Sequence, residues 1–253
     1  MRARASRSVA AVALAAALAA MTVPSAAQTR LDNWLFYQDN YGDTARWQYR
    51  AKLWFPFDLG GGWSFTQRVD LPFYYTNATG PDNSGGWKFG ASDFFIEEII
   101  DGPDVARNFR WRGSLRLVFP TGGQSPFGSD QWQIAPMFGV NWRLPEHKMT
   151  IAPYVRYSHG FDARHDGVTT KRSWNLFPEV TFALNDSWSL VLYPEQGITY
   201  NERSHKWFVP AEANLSKRLG KQWEFSFGGA VPIVDDDKSY RWLVQTRLRY
   251  FFP

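Results

Sequence analysis

The last stretch of the chain, YRWLVQTRLRYFF at residues 240–252, decides the predicted fold. Every second residue is apolar apart from Thr246, and these residues would form one face: Tyr240, Trp242, Val244, Thr246, Leu248, Tyr250 and Phe252. The residues between them are mostly polar and would form the other face: Arg241, Leu243, Gln245, Arg247, Arg249 and Phe251. A period of two is typical of a β-strand. About 9 to 11 residues suffice for a tilted strand to cross a bilayer, so we predict the closing strand of an outer-membrane β-barrel.

The same alternation recurs along the chain, between clusters of Gly, Asp, Asn and Ser. Ten further strands are predicted at residues 44–57, 63–75, 87–100, 109–120, 131–144, 148–160, 172–184, 188–200, 206–219 and 223–234. In segment 87–100 the apolar phase changes, which predicts a β-bulge near Asp93. The segment from Leu31 to Gln38 (LDNWLFYQ) is the candidate for a twelfth strand, although it alternates poorly and also suits a periplasmic lead-in. The predicted fold is all-β, an antiparallel transmembrane β-barrel of about 12 strands.

The connections between the predicted strands alternate in length. Short turns occupy residues 58–62, 145–147, 185–187 and 220–222, whereas long loops occupy residues 77–86, 122–130 and 161–170. In this architecture the short turns face the periplasm and the long loops face outward. Trp63, Trp188 and Trp223 each follow a short turn, where an aromatic girdle is expected at headgroup level.

Seven prolines fall within predicted strands, although proline cannot donate a hydrogen bond to a sheet. They are Pro72, Pro136, Pro153, Pro178, Pro194, Pro210 and Pro232. Pro178 should lie nearly opposite Pro194 across a short turn, and Pro210 nearly opposite Pro232. We interpret these pairs as bulges that bend the wall, and shorter strands are the alternative.

Residues 1–27 have the features of a secretory signal. Three arginines precede an Ala-rich run at residues 9–20, and a small-residue cleavage site ends at Ala27. The predicted barrel domain therefore spans residues 28–253. Three of the 28 basic residues leave with the signal, so 25 basic residues balance 24 acidic ones, and the high pI does not indicate a nucleic-acid partner. The chain has no cysteine, which excludes disulfides and thiolate metal sites.

Three segments carry motif-like text: FGASDFF at residues 89–95, LVFPTGG at residues 117–123 and GSDQWQIAPMFGVNWRL at residues 128–144. They resemble the Gly-Asp strand, the PTG start of a loop and the W-Q-x-x-P strand of the outer-membrane transporters grouped as the MetA-pathway of phenol degradation family. Ser92 stands where that family often has Gly, and Pro253 follows the terminal aromatic. The resemblance implies passage of small, often aromatic or hydrophobic compounds, and it identifies no catalytic residues.

Charged residues within the predicted strands indicate the lining of the lumen, because a charge that faces lipid at mid-depth costs about 2 to 4 kcal/mol. The predicted basic row comprises Arg46, Arg50, Lys52, Arg68, Arg110, Arg112, Arg116, Arg156, Arg247 and Arg249. The predicted acidic row, on three consecutive strands opposite, comprises Glu179, Glu195 and Glu212. The aromatic residues would contact lipid. Facing rows would create a transverse field in a water-filled pore; the alternative is a narrow barrel filled by Arg–carboxylate pairs.

These features predict a channel for passive passage of small solutes, with no catalytic residues, cofactor or metal. The expected partners are outer-membrane lipid, the solute, and the assembly machinery that would recognise residues 240–252. A soluble secreted barrel or sandwich that binds carbohydrate through its Trp residues is the main alternative. An outer-membrane lipid hydrolase is the third, but Ser158 and His159 are neighbours on a strand and would point to opposite faces.

Three histidines lie near the predicted outer rim: His159, His165 and His205, with Asp162, Asp166 and Glu202 close in sequence. These residue types suit a metal ion, but their spacing matches no metal-binding motif. We therefore predict solvated loop histidines. The GGG at residues 60–62 lacks the Lys of a phosphate-binding loop and is predicted to be a turn.

Overall fold

The computed structural model describes residues 28–79, 86–165 and 167–253, so the predicted signal at residues 1–27 lies outside the described residues. The strand segments are β1 (Arg30–Asp39), β2 (Ala45–Gly60), β3 (Trp63–Thr76), β4 (Lys88–Ala91), β5 (Phe95–Ala106), β6 (Phe109–Val118), β7 (Gln131–Leu144), β8 (Met149–Ala163), β9 (Arg172–Ala183), β10 (Trp188–Leu192), β11 (Ile198–Asn201), β12 (Lys206–Leu219), β13 (Trp223–Asp235) and β14 (Trp242–Phe251). Segments β4 and β5 form one interrupted wall strand, as do β10 and β11. The wall therefore has 12 strands.

Neighbouring strands pair antiparallel around the whole wall, and the first strand pairs with the last. Trp34 on β1 lies opposite both Arg50 on β2 and Arg247 on β14. The sheet is a closed barrel without a free edge. The predicted fold is confirmed, and the weakly alternating segment 31–38 belongs to the first strand. Within the described part of the chain, no helix has the length and apolar character needed to span a bilayer.

The last strand was predicted at residues 240–252, but β14 is shorter and spans Trp242–Phe251. The preceding turn is held by Asp235, whose carboxylate accepts hydrogen bonds from the backbone N–H groups of Ser239 at 2.8 Å and Tyr240 at 3.2 Å. This turn directs the Tyr240 ring inward, where it contacts Phe208 at a centroid distance of 5.4 Å. Tyr240 is 2% exposed. Its predicted position on the lipid face is therefore wrong.

The two rims of the barrel differ in their connections. One rim, called the turn rim, carries both ends of the described barrel and the short connections at residues 61–62, 107–108, 145–148, 184–187 and 220–222. The other, called the loop rim, carries the described residues of the remaining connections, at 40–44, 77–79, 86–87, 119–130, 164–165, 167–171, 202–205 and 236–241. The predicted short turns and the predicted long loops thus lie on opposite rims, and the loop rim also carries the four-residue connection at 202–205.

Large apolar side chains cover the outer face of the wall, where Phe89, Phe138 and Ile233 are 70%, 60% and 67% exposed. Aromatic rings gather at both rims. At the loop rim, five ring pairs have centroids 4.7 to 5.2 Å apart: Tyr37–Trp47, Tyr37–Trp242, Tyr75–Trp87, Tyr157–Trp174 and Tyr200–Trp207. At the turn rim, Trp63 contacts Trp111 and Trp223 contacts Tyr250. Two aromatic girdles around an apolar band are typical of membrane barrels.

The interruption between β4 and β5 is the bulge that the sequence predicts near Asp93. Ala91 pairs with Phe73 and Phe95 pairs with Asp70, so three residues stand opposite two. The additional residue shifts the alternation by one position. As a result, Glu97 on β5 lies on the inner face of the wall, whereas Glu98 lies on the outer face.

Residues 193–197, between β10 and β11, leave the wall and enter the lumen. Leu192 pairs with Val180 and Ile198 pairs with Leu176, so five residues stand opposite three on β9. Tyr193 has a φ of 54°, in the left-handed region that non-glycine residues rarely adopt. We call residues 193–197 the inward bulge.

Two of the strand prolines lie at irregular positions of the wall, Pro210 beside a register shift and Pro194 in the inward bulge. Pro210 pairs with Pro232 beside a register shift, as predicted. Pro178 pairs with Pro153 on β8, and on its other side it is one of the three β9 residues that stand opposite the inward bulge. The predicted position of Pro178 opposite Pro194 is therefore correct for the two segments, but the two prolines do not pair. Pro194 lies in the inward bulge, whose two additional residues remove it from the register that would have placed it opposite Pro178.

Candidate functional site

Two cavities lie inside the wall formed by the described residues. The central cavity has a volume of about 670 Å³ and is lined mainly by charged and polar side chains, among them Lys52 and Glu179. The loop-side cavity has a volume of about 410 Å³ and is lined partly by residues 125–129 of the loop between β6 and β7, which folds into the barrel. Arg50 and Arg116 line both cavities and mark the boundary between them.

Eleven of the thirteen predicted lumen residues line a cavity. They are Arg46, Arg50, Lys52, Arg68, Arg112, Arg116, Arg156, Arg247, Arg249, Glu179 and Glu195. Arg110 lies towards the turn rim, where it contacts Asp104 at 3.1 Å. Glu212 lines neither cavity. The inner face is therefore charged, and Trp47 and Trp242 lie on the outer face with 41% and 39% exposure.

A chain of ion pairs crosses the barrel at the boundary between the cavities. Glu195 on the inward bulge lies 2.5 Å from Lys52 and 3.2 Å from Arg50, both on β2. Arg50 lies 3.5 Å from Asp70, and Asp70 lies 3.0 Å from Arg68. The inward bulge is thereby connected to the opposite wall.

The chain of ion pairs continues from Arg68 to Glu97 at 3.2 Å. Glu97 also contacts Arg116 at 2.9 Å and Arg156 at 2.8 Å, and it accepts a hydrogen bond from Ser114 at 2.7 Å. We call the connected side chains the charge belt: Lys52, Glu195, Arg50, Asp70, Arg68, Glu97, Arg116 and Arg156. The belt holds five cations and three carboxylates, which leaves a formal excess of two positive charges.

Most of the anionic partners were missed by the sequence prediction. Besides Asp70 and Glu97, they include Asp32, which accepts hydrogen bonds from Arg249 at 2.6 and 3.0 Å, and Glu224, which contacts Arg247 and Arg249. Glu97 was missed because the bulge near Asp93 changes its phase; a count restarted after the bulge would place it inward. The prediction of two separate rows is corrected, since the guanidinium groups alternate with carboxylates of neighbouring strands.

The three predicted acidic residues have different surroundings. The side chain of Glu195 reaches across the lumen to Lys52 and Arg50 on β2. Glu212 is 3% exposed, and its Oε2 accepts hydrogen bonds from the backbone N–H groups of Glu195 at 3.0 Å and Gln196 at 2.7 Å. It supports the inward bulge and does not line the pore. Glu179 faces the central cavity and, within the described residues, makes no hydrogen bond or ion pair within 4 Å.

An apolar cluster fills the side of the lumen next to β1 and β14. Its buried members are Trp34, Phe36, Ala230, Tyr240 and Leu243, and Phe208 packs against them. Trp34 and Phe36 stack with centroids 5.3 Å apart. The expectation that the aromatic residues contact lipid is therefore wrong for these rings, because β1 turns its aromatic face inward.

The loop between β6 and β7 is held inside the barrel by Asp93. One carboxylate oxygen accepts a hydrogen bond from the backbone N–H of Gly122 at 3.0 Å, and the other accepts from the N–H of Ser129 at 2.6 Å and its hydroxyl at 2.7 Å. A Cβ at Gly122 would lie 2.8 Å from the Cα of Ser92, so only glycine fits this approach. The three motif segments of the sequence thus meet in one loop anchor.

The histidines lie apart from the charge belt. His165 contacts Asp130, and His205 shares a hydrogen bond of 2.9 Å with the hydroxyl of Tyr200. His159 is on the outer face of β8, whereas Ser158 lines the loop-side cavity, so the two point to opposite faces. Asp166 lies outside the described residues. Among the described residues, no group of three or more His, Asp or Glu side chains is arranged to hold a metal ion.

Neither a protein-family model nor a curated protein sequence matches the chain. Several solved structures share its fold. The COG4313 outer-membrane channel from Pseudomonas putida F1 is similar with a TM-score of 0.73 and 11% identity, over 91% of this chain and 97% of that chain. The NanC porin has a TM-score of 0.56 and 12% identity over 88% and 99%. The β-domain of the Bordetella autotransporter BrkA has a TM-score of 0.52 and 15% identity over 89% and 99%.

At these identities the likeness concerns the fold. The closed wall, the two aromatic girdles and these neighbours define an outer-membrane-type β-barrel. Within that class, this chain is a 12-stranded barrel with one loop anchored inside it and a charge belt across its lumen.

Proposed function

We propose that the protein is an outer-membrane channel for the passive passage of small solutes. The observation that carries this proposal is the central cavity, a charged space of about 670 Å³ inside a closed wall whose outer face is apolar. The loop rim faces outward and the turn rim faces the periplasm, following the usual orientation of such barrels. The similar fold of the COG4313 channel supports the same reading. A soluble carbohydrate-binding barrel does not suit a wall covered with exposed Phe, Ile and Leu.

The lining of the central cavity favours anions. Its nine basic residues are Arg30, Arg50, Lys52, Arg68, Arg112, Arg116, Arg156, Arg247 and Arg249, and its five acidic residues are Asp32, Glu97, Glu179, Glu195 and Glu224. The formal excess of the lining residues is four positive charges, and it is two when Asp70 and Asp101, which pair with lining arginines, are included. Fixed charge in a narrow aqueous pore raises the local concentration of the opposite ion.

A second part of the proposal concerns delivery to the membrane. We propose that residues 1–27 are removed after Ala27, and that the assembly machinery recognises residues 240–252 with their terminal aromatics. The three motif segments support grouping the chain with the MetA-pathway of phenol degradation family. The solute would then be small, and aromatic or hydrophobic in part.

Reconstitution in planar bilayers tests the channel. We expect single-channel currents and, in a salt gradient, a reversal potential that indicates a preference for anions. Glu179→Gln should increase the preference for anions, because it removes a negative charge that faces the cavity. Since Glu179 makes no ion pair among the described residues, the substitution should leave the wall intact. Glu146→Gln, on the exposed turn at residues 145–147, is the control and should change nothing. An absence of current from folded protein would overturn the proposal.

A further inference from the structure

The loop-side cavity is strongly cationic. Four basic side chains line it, Arg46, Arg50, Arg116 and Lys171, against one acidic side chain, Asp93. Both carboxylate oxygens of Asp93 already accept hydrogen bonds from Gly122 and Ser129. Counted over its own lining, the cavity has a formal excess of three positive charges, and its one carboxylate is engaged in holding the loop. Arg50 and Arg116 also pair with carboxylates of the charge belt, so among the described residues Arg46 and Lys171 are the lining cations without an ion pair.

Arg46 donates hydrogen bonds to the amide oxygen of Gln38, whereas Lys171 makes neither an ion pair nor a side-chain hydrogen bond among the described residues. Arg116 and Arg156 are close enough to repel the Lys171 ammonium, and Asp93 is close enough to attract it. A charge held near other like charges, with no counter-ion within 4 Å, favours an anion between them.

Aromatic rings complete the wall of the cavity. Tyr74, Phe95 and Phe127 line it, and two of these rings already face cations. The guanidinium of Arg46 lies 4.7 Å from the centroid of Tyr74, and that of Arg116 lies 3.9 Å from the centroid of Phe95. The aromatic ring of a bound ligand would therefore contact apolar ring faces that lie directly beside cationic groups. A volume of about 410 Å³ lies within the range of small-molecule sites.

The floor of the cavity is formed by groups that also belong to the charge belt. Arg50 lines both cavities and is held on the central side by Glu195 at 3.2 Å. A carboxylate that enters from the loop rim meets the same guanidinium. Exchange of Glu195 for the ligand carboxylate leaves the guanidinium of Arg50 paired and adds one negative charge to the site. It also weakens the contact that holds the inward bulge against β2 and leaves Glu195 on Lys52.

We propose that the loop-side cavity is a binding site for a small organic acid that carries a ring. Its carboxylate binds between Lys171, Arg116 and Arg50, its ring contacts Phe127 and Tyr74, and it competes with Glu195 for Arg50. The inference rests on the proposed function and deepens it. It gives the chemical class of the solute and a site that binds the solute on the loop side of the charge belt, before passage.

Equilibrium binding to the full-length barrel in detergent tests the site without relying on conductance. The probe is benzoate, and benzamide is the neutral control of the same shape. Benzoate should bind and benzamide should not. Lys171→Gln should weaken benzoate binding about tenfold, whereas Lys221→Gln, at the turn rim, should leave it unchanged. Glu195→Gln should strengthen binding, because it removes the competing carboxylate.

Equal affinity for benzoate and benzamide, or unchanged binding in Lys171→Gln, would overturn the site. A correctly folded Lys171→Gln barrel, judged by its unfolding in urea, separates loss of the site from loss of the fold. A barrel that conducts ions without binding benzoate disproves this inference and leaves the channel intact. A barrel that binds benzoate without conducting disproves the channel and leaves the site.

Discussion

Glu195 on the inward bulge and Lys52 on β2 form an ion pair across the lumen, with Oε1 and Nζ 2.5 Å apart. Their wall strands are the ninth and the second of twelve, so the contact joins nearly opposite sides of the barrel. Regular pairing of β9 with β10 and β11 would keep Glu195 at the wall. The contact exists because residues 193–197 leave the sheet and Glu212 holds their backbone in the lumen.

The first prediction concerns Glu97, which is 1% exposed and contacts three guanidinium groups. We expect Glu97→Gln to lower the free energy of unfolding by about 3 to 5 kcal/mol, because it leaves buried cations without their partner. The measurement is unfolding by urea in detergent or lipid vesicles. Glu98→Gln is the matched control: it is the adjacent residue, faces outward, and bonds to Gln67 at 2.9 Å. Equal effects of the two changes would show that the charge belt does not stabilise the barrel.

The second prediction concerns the loop anchor. Asp93→Asn replaces one accepting oxygen with an amide nitrogen, so the hydrogen bonds to Gly122 and Ser129 cannot all persist. We expect faster hydrogen exchange at residues 122–129, corresponding to a local loss of about 1 to 3 kcal/mol. Asp58→Asn is the same substitution on the turn rim, where one oxygen accepts from the N–H of Gly60 at 2.9 Å, and it should leave residues 122–129 protected. Unchanged exchange in Asp93→Asn would mean that other contacts hold the loop.

The third prediction uses the absence of cysteine from the chain, since a single introduced thiol can be labelled without ambiguity. Glu179→Cys should react with a charged, water-soluble thiol reagent, and the modified channel should carry less current. Val180→Cys, one residue further on the outer face of β9, should react slowly with the same reagent, because lipid covers it. Comparable rates at both positions would contradict the assignment of the inner and outer faces.

Much of this fold can be read from the alternation of the side chains. A period of two, repeated in segments long enough to cross a bilayer, predicts both the strands and the face that each residue occupies. Arg68 and Arg116 could be placed inside the barrel on this basis alone, because a charge on the lipid face costs more than the wall can compensate. The bulge near Asp93 could also be predicted, since it changes the phase of the pattern.

Other features depend on contacts that the linear pattern does not contain. Glu97 and Glu98 are neighbours of the same chemistry, and the added residue at the bulge decides which of them enters the charge belt. The function of Glu212 was not predictable, because alternation gives its face but not the backbone it would support. Trp34 and Phe36 were misplaced for a similar reason, since their strand is covered from inside by Tyr240 and Leu243.

The sequence by itself determined that the chain forms a closed wall with an apolar outer face and a charged inner face, because both follow from the local period and the cost of placing charge in lipid. The tertiary structure alone decided how those inner charges pair. Ion pairs between strands far apart in sequence depend on the closure of the barrel, and the Glu195 contacts also require the two additional residues of the inward bulge, so no local pattern specifies them.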